Sequence, residues 1–158
     1  LRSGGRDVSL VIAGEDDQGG GGYRRSLEDL IRHHNLQKHV NLLGAVDEDE
    51  VRKQILDAHY FLLASHNEPL GVALMEAMSC EVPVISTAAG GVAELISDGQ
   101  DGILVQPRAP EAVAKAIVEL VENPVRAQAL GQSARRKVID RFDSTKGAET
   151  LVQEIHRA

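Results

Sequence analysis

The sequence predicts an α/β fold: three layers, with a parallel sheet of about five or six strands covered by helices on both faces. Short apolar runs rich in β-branched residues alternate with longer stretches of helical period. The short runs are apolar throughout rather than alternating, as strands buried on both faces are, and parallel sheets have that burial. With 158 residues, 42% apolar and 26% charged, the chain has the composition to build one core. Residues 1–158 therefore read as a single domain.

The elements follow in order. Val8 to Ala13 reads as a buried strand ending at Gly14. Tyr23 to Leu36 carries Leu27, Leu30 and Ile31 at helical spacing. Val40 to Leu43, closed by Gly44, is a second strand. Asp47 opens a helix to Ala58, and Glu50 three residues on can reach back as in a capping box. Tyr60 to Ala64 is a third strand, and Gly71 to Cys80 a helix with Leu74, Ala77 and Met78 on one side. Pro83 to Ser86 is a fourth strand, followed by a short helix from Gly91 to Ile96. Gly102 to Val105 is a fifth strand. Pro110 starts a helix striped by Val113, Ala116, Ile117, Leu120 and Val121. Asn123-Pro124 breaks it and starts another, running to about Phe142. Asp143-Ser144-Thr145 caps a last helix with Ala148, Leu151, Val152 and Ile155 facing inward.

Charge and composition exclude whole classes of partner. The formal charge is −7, from 17 basic and 24 acidic residues. A negative surface repels phosphate backbones, so no nucleic acid is expected as partner. Aromatics make up only 3%, too few for base-stacking platforms. No apolar run approaches the ~20 residues of a membrane span, so no direct membrane insertion is expected. Cys80 stands alone, which leaves no intrachain disulfide and no multi-cysteine zinc site. Leu1 to Arg6 carries no targeting pattern, and a cytoplasmic setting is the default expectation.

In parallel α/β sheets, ligands sit beyond the carboxyl ends of the strands. The loop Gly14–Gly22 imitates a phosphate cradle without being one. Gly20 stands where a Walker loop needs Lys, Arg25 where a dinucleotide fingerprint needs its last Gly, and Glu15, Asp16 and Asp17 repel a diphosphate. The loop Ser65–Gly71 is different, because Pro69 and Gly71 fix a turn that opens a helix whose free amides suit phosphate. Glu76 sits in the second turn of that helix and leans back toward its start, where a carboxylate matches a vicinal diol such as ribose. The loop Thr87–Gly91 repeats the device: Gly90 and Gly91 permit an anion-binding nest. His66 lies in the Ser65–Gly71 loop, within reach of a bound sugar. His33, His34, His39, His59 and His156 read as surface residues without metal spacing. Arg135, Arg136, Lys137 and Arg141 read as a solvated basic helix end.

Glu68-Pro-Leu-Gly71, Glu76-Ala-Met, Pro83-Val, Gly90-Gly91-Val-Ala-Glu94 and Asp98-Gly99-Gln-Asp-Gly102-Ile-Leu-Val stand in series. That series resembles the C-terminal, donor-binding half of GT-B glycosyltransferases, the large retaining group called group one or family four. The resemblance runs from Val8 to about Phe142 and implies a Rossmann-like domain. It implies that Glu68 is the catalytic carboxylate beside the donor sugar. The amides of Leu70 and Gly71 would hold the diphosphate, and Glu76 the ribose hydroxyls. The loop from Gly44 to Val46 would contact the base, and Glu94 would cap its own short helix. It implies a nucleoside-diphosphate sugar as donor and no metal or other cofactor, with transfer that retains anomeric configuration in polysaccharide or glycolipid synthesis. It also implies an N-terminal acceptor domain as partner, with one more strand and a basic loop ahead of Leu1 and Leu1–Arg6 as the tail of the following helix. On that expectation these 158 residues alone have no turnover. Glu81 replaces the family's usual Gly in a helix-to-strand turn, where the effect falls on stability. Two other readings remain: a sugar-nucleotide epimerase of the same architecture, distinguished by turnover without acceptor, and a non-catalytic nucleotide-binding module.

Overall fold

The structure, a computed structural model, describes residues 5, 7–16, 22–142 and 153. The expected last helix, the tip of the glycine loop and most of Leu1–Arg6 lie outside the described residues. The chain divides into two compact units, Leu1–Gln54 and Ile55–Ala158.

The first unit holds β1 (Leu10–Ala13), α1 (Gly22–His33), β2 (Val40–Gly44) and most of α2 (Glu48–Asp57), which crosses the boundary. β1 and β2 pair in parallel, Leu10 opposite Val40 and Ile12 opposite Leu42, with a register shift before Ala13. β1 is not the buried strand that its composition suggests. Leu10 is 43% and Val11 41% exposed, and α1 buries no residue. Neighbouring strand residues point to opposite faces, so both faces of β1 are open; two strands cannot supply cover on both sides. The Asp16 carboxylate accepts from the amides of Tyr23 and Arg24, both at 3.1 Å, so the start of α1 is already occupied by an anion of its own chain. Asp47 caps α2 as expected, accepting from the Glu50 amide at 2.9 Å. Glu50 does not reach back. Its carboxylate is engaged by Gln54 at 2.7 Å and Lys53 at 3.3 Å, contacts that hold its pKa below the usual carboxylate value.

The second unit holds β3 (Phe61–Leu63), α3 (Val72–Ser79), β4 (Val84–Thr87), α4 (Val92–Leu95), β5 (Ile103–Val105), α5 (Pro110–Glu122) and α6 (Pro124–Arg141). Its parallel sheet has the order β3-β4-β5, with Leu62, Ile85 and Ile103 in register. All four residues of the central β4 are buried. Ile85, Ile103 and Val105 pack with Ala116 and Leu120 of α5 and Ala127 and Leu130 of α6. Val121, placed on the inner stripe by spacing, is 39% exposed instead. Among the described residues the strands number five and form two ladders, of two and three strands, where one sheet of five or six was expected.

Two features tie α6 down. At Gly131 the helix passes so close to the turn after α3 that a Cβ there would collide with the Glu81 carbonyl. Lys137 is not part of a solvated basic end: its side chain is 11% exposed and its ammonium bonds the Asp101 carboxylate at 2.8 Å and the Ser97 hydroxyl at 3.0 Å. Glu81 itself has φ 60°. A side chain in the left-handed region costs about 1–2 kcal/mol, which glycine avoids at some loss of chain entropy. The ion pair that offsets it is weak, 3.8 Å to Arg135 with both side chains 48% exposed. Glu81→Gly is therefore expected to stabilise the fold by about 0.5–1 kcal/mol, read as a higher urea midpoint at unchanged slope.

Candidate functional site

The second unit brings two of the expected site loops into direct contact. Ser65–Gly71 leaves β3 and Thr87–Gly91 leaves β4, and adjacent parallel strands deliver both to the same end of the sheet. The Thr87 hydroxyl donates to the Ser65 carbonyl at 2.5 Å, and the Ser86 hydroxyl to the Leu63 carbonyl at 3.0 Å. The Gly91 amide donates to the Glu68 carbonyl at 2.9 Å. A Cβ at Gly90 would strike that same carbonyl, and one at Gly91 the carbonyl of Pro69. The double glycine is thus what lets the β4 loop lie against the β3 loop.

That packing changes what two backbone amides do. Gly71, the N-cap of α3, is left-handed at φ 76°, and its amide donates to Oε1 of Glu68 at 3.0 Å. The Gly91 amide is committed to the Glu68 carbonyl. Two of the amides that the sequence offers to a ligand, those of Gly71 and Gly91, are therefore engaged within the loops. Through its amide, Gly91 thus braces the two loops together. Glu68 gains a fixed orientation in exchange, since one carboxylate oxygen is anchored to Gly71. The first-turn amides of Val72, Ala73 and Leu74 point from the helix start, because the helical ladder begins with Met75 donating to the Gly71 carbonyl.

The remaining expected residues fall around this brace. Glu76 is exposed on α3, four residues and about one turn beyond the likewise exposed Val72. Leu70 is 59% exposed. His66 is exposed and lines a cavity of about 280 Å³ together with Thr87, Gln106 and Arg108. Glu94 is exposed and does not cap α4, whose first amide at Gly91 is taken by Glu68. Gly44 and Val46 belong to the first unit: Gly44 ends β2 at φ 74°, buried, and Val46 is partly buried. Thr87, Gln106 and Arg108 lie in loops that the sequence places at this end, Thr87–Gly91 and Gln106–Pro110, but no motif assigned a role to any of the three. Among the described residues no group of three or more His, Cys, Asp or Glu is placed to hold a metal ion. No helix among them is long and apolar enough to cross a membrane.

A parallel sheet with two glycine-braced helix starts at its carboxyl end places the chain in the α/β class whose ligands sit at that end. The family model of glycosyl transferases group 1 matches residues 1–137, and the chain belongs to that family. The 2-deoxystreptamine N-acetyl-D-glucosaminyltransferase of Niallia circulans is 30% identical over 136 residues, 86% of this chain and 34% of that protein. HepE from Anabaena, solved in complex with UDP, superposes with TM-score 0.90 at 24% identity, covering 96% of this chain and 41% of that one. Sucrose-phosphate synthase from Thermosynechococcus elongatus gives TM-score 0.83 at 29% identity, covering 96% and 38%. The fold is thus the Rossmann-like one expected. The chain spans about a third of the length of the curated relatives it matches.

Proposed function

We propose that this chain is the donor-binding part of a glycosyltransferase, taking a nucleoside-diphosphate sugar at the carboxyl ends of β3 and β4. The observation that carries the reading is Glu68, held by the Gly71 amide and braced from behind by Gly91. One carboxylate oxygen is anchored, and the other is left for a sugar hydroxyl. The diphosphate lies at the start of α3, against the amides of Leu70, Val72 and Ala73, where the helix dipole favours anions. Glu76 accepts from the ribose hydroxyls, and His66 and Gly90 border the sugar. Family membership and the neighbours solved with UDP or UDP-glucose support a sugar nucleotide as the donor. In the whole enzyme, the sugar passes to an acceptor with retained configuration, without a metal and in the cytoplasm, and an N-terminal acceptor domain supplies the rest of the site. These 158 residues alone are expected to show no turnover.

Titrating UDP, GDP and ADP while following amide shifts tests the reading. Shifts are expected at Glu68–Glu76 and Gly90–Gly91; shifts confined to residues 14–22 would overturn the assignment. Glu76→Gln is expected to cost about 1.5–3 kcal/mol of nucleotide binding by removing a charged acceptor. The 2′,3′-dideoxy nucleotide lacks the diol, so the substitution should leave its affinity unchanged. Equal losses for both ligands would remove the ribose role from Glu76.

A further inference from the structure

The cavity beside His66 belongs to the second unit. It is about 280 Å³, lined by Ala64, His66, Thr87, Gln106, Arg108, Ala109, Pro110 and Val113. These residues come from the loops leaving β3, β4 and β5 and from the start of α5, so the cavity opens at the ligand-binding end of the sheet. Its volume falls just under the range for drug-sized ligands, which suits one monosaccharide and not a whole nucleotide sugar. Ala64, Ala109, Pro110 and Val113 supply apolar surface for the C–H face of a ring. The Thr87 hydroxyl is spent on Ser65, so the polar groups left for a ligand are His66, Gln106 and Arg108.

Arg108 sets the ligand's charge. Its φ is 61°, a conformation that glycine adopts freely and a side chain does not. No carboxylate lines the cavity, and the adjacent Glu111 is exposed outside it. Arg108 has no ion-pair partner among the described residues. The contrast is a cavity of about 310 Å³ beside α6, where Lys137 is already neutralised by Asp101. Arg108 is exposed at the rim of this monosaccharide-sized cavity and carries no counter-charge there, and a planar guanidinium matches an oxyanion, which it binds with two parallel hydrogen bonds. The start of α5 at Pro110 has no side-chain cap and adds positive potential on the same side.

We propose that this cavity binds a hexose-sized ring bearing an oxyanion, a carboxylate or a phosphate monoester, with Arg108 on the anion and Gln106 on a ring hydroxyl. The saccharide part rests on the glycosyltransferase reading; the anion part rests on the cavity alone. The test titrates the full 158-residue chain with glucuronate, glucose 6-phosphate, glucose and inorganic phosphate, following amide shifts. The two anionic sugars are expected to shift His66, Gln106, Arg108 and Ala109, with glucose and inorganic phosphate at least tenfold weaker. Arg108→Gly is expected to weaken the anionic sugars by about 10–100-fold. The same substitution relieves the backbone and should raise the melting temperature by about 2–4 °C, which separates lost binding from lost folding. Glucose binding as tightly as glucuronate, inorganic phosphate matching both sugars, shifts elsewhere, or unchanged affinity in Arg108→Gly would each overturn the proposal. UDP binding, read at Glu76 in the same samples, reports on the donor reading separately.

Discussion

Lys137→Met is expected to destabilise the protein by about 3 kcal/mol, a fall in melting temperature of roughly 6–12 °C. The side chains of Lys137 and Asp101 are 11% and 8% exposed, so each charge has left most of its water. Together they are satisfied: Asp101 accepts from Lys137 at 2.8 Å and from the Ser97 amide at 2.7 Å, and Lys137 also donates to the Ser97 hydroxyl. Removing the ammonium leaves a desolvated carboxylate with one amide for a partner. Asp101→Asn is expected to do comparable harm by stranding the ammonium. The double variant Asp101→Asn with Lys137→Met removes both charges and should recover a large part of the loss. A double variant no better than the sum of the singles would show that the pair does not act as a unit. Thermal melts of the four proteins decide it.

That pair also marks where the sequence stops being legible. Thirty-six residues separate its members, and nothing local distinguishes Lys137 from Arg135 or Arg136. The elements themselves were readable because their signals are local. Asp47 caps α2, and Asn123 caps α6 through the Arg126 amide at 3.1 Å. Apolar runs locate β2 to β5 to within a residue or two. Burial is not local. β1 has the composition of a core strand, yet Leu10 and Val11 are exposed, because cover depends on what other elements supply. Glu50 shows the same limit on a smaller scale: the spacing from Asp47 permits a reciprocal cap, but Gln54 and Lys53, one turn or less away, compete for the carboxylate and hold it.

The site was legible as residue types and not as hydrogen bonds. The spacing of Glu68 and Glu76 and the glycines at 71, 90 and 91 are visible in the chain. Whether an amide is free for a ligand depends on a contact between loops 23 residues apart, as between Glu68 and Gly91. The sequence offered the Gly71 amide to a phosphate, and the fold gives it to Glu68. Arg108 was invisible for the converse reason: arginine carries no signal for a left-handed backbone, so only the coordinates show that it stands where glycine would sit unstrained.

Gly91→Ala is expected to cost about 3 kcal/mol of stability, at the upper end of what overpacking does, and to weaken nucleotide binding in whatever fraction stays folded. The added methyl has no flexible neighbour to push aside, since the atom it meets is the backbone carbonyl of Pro69. Relief requires the β4 loop to move away from the β3 loop. That movement breaks the 2.9 Å bond from the Gly91 amide to the Glu68 carbonyl and releases the segment carrying Glu68. The Glu68 carboxylate is held to the Gly71 amide three residues on, so the loosening passes directly to the start of α3. Binding should therefore fall by more than loss of folded protein explains. Thr87→Val supplies the comparison: it deletes the brace to Ser65 but leaves Glu68 in place, and it should lower stability with little effect on nucleotide affinity. Urea midpoints and UDP titrations on both variants separate the two effects. Equal affinities for Gly91→Ala and the parent protein, after correction for folded fraction, would show that the brace stabilises the fold without positioning Glu68.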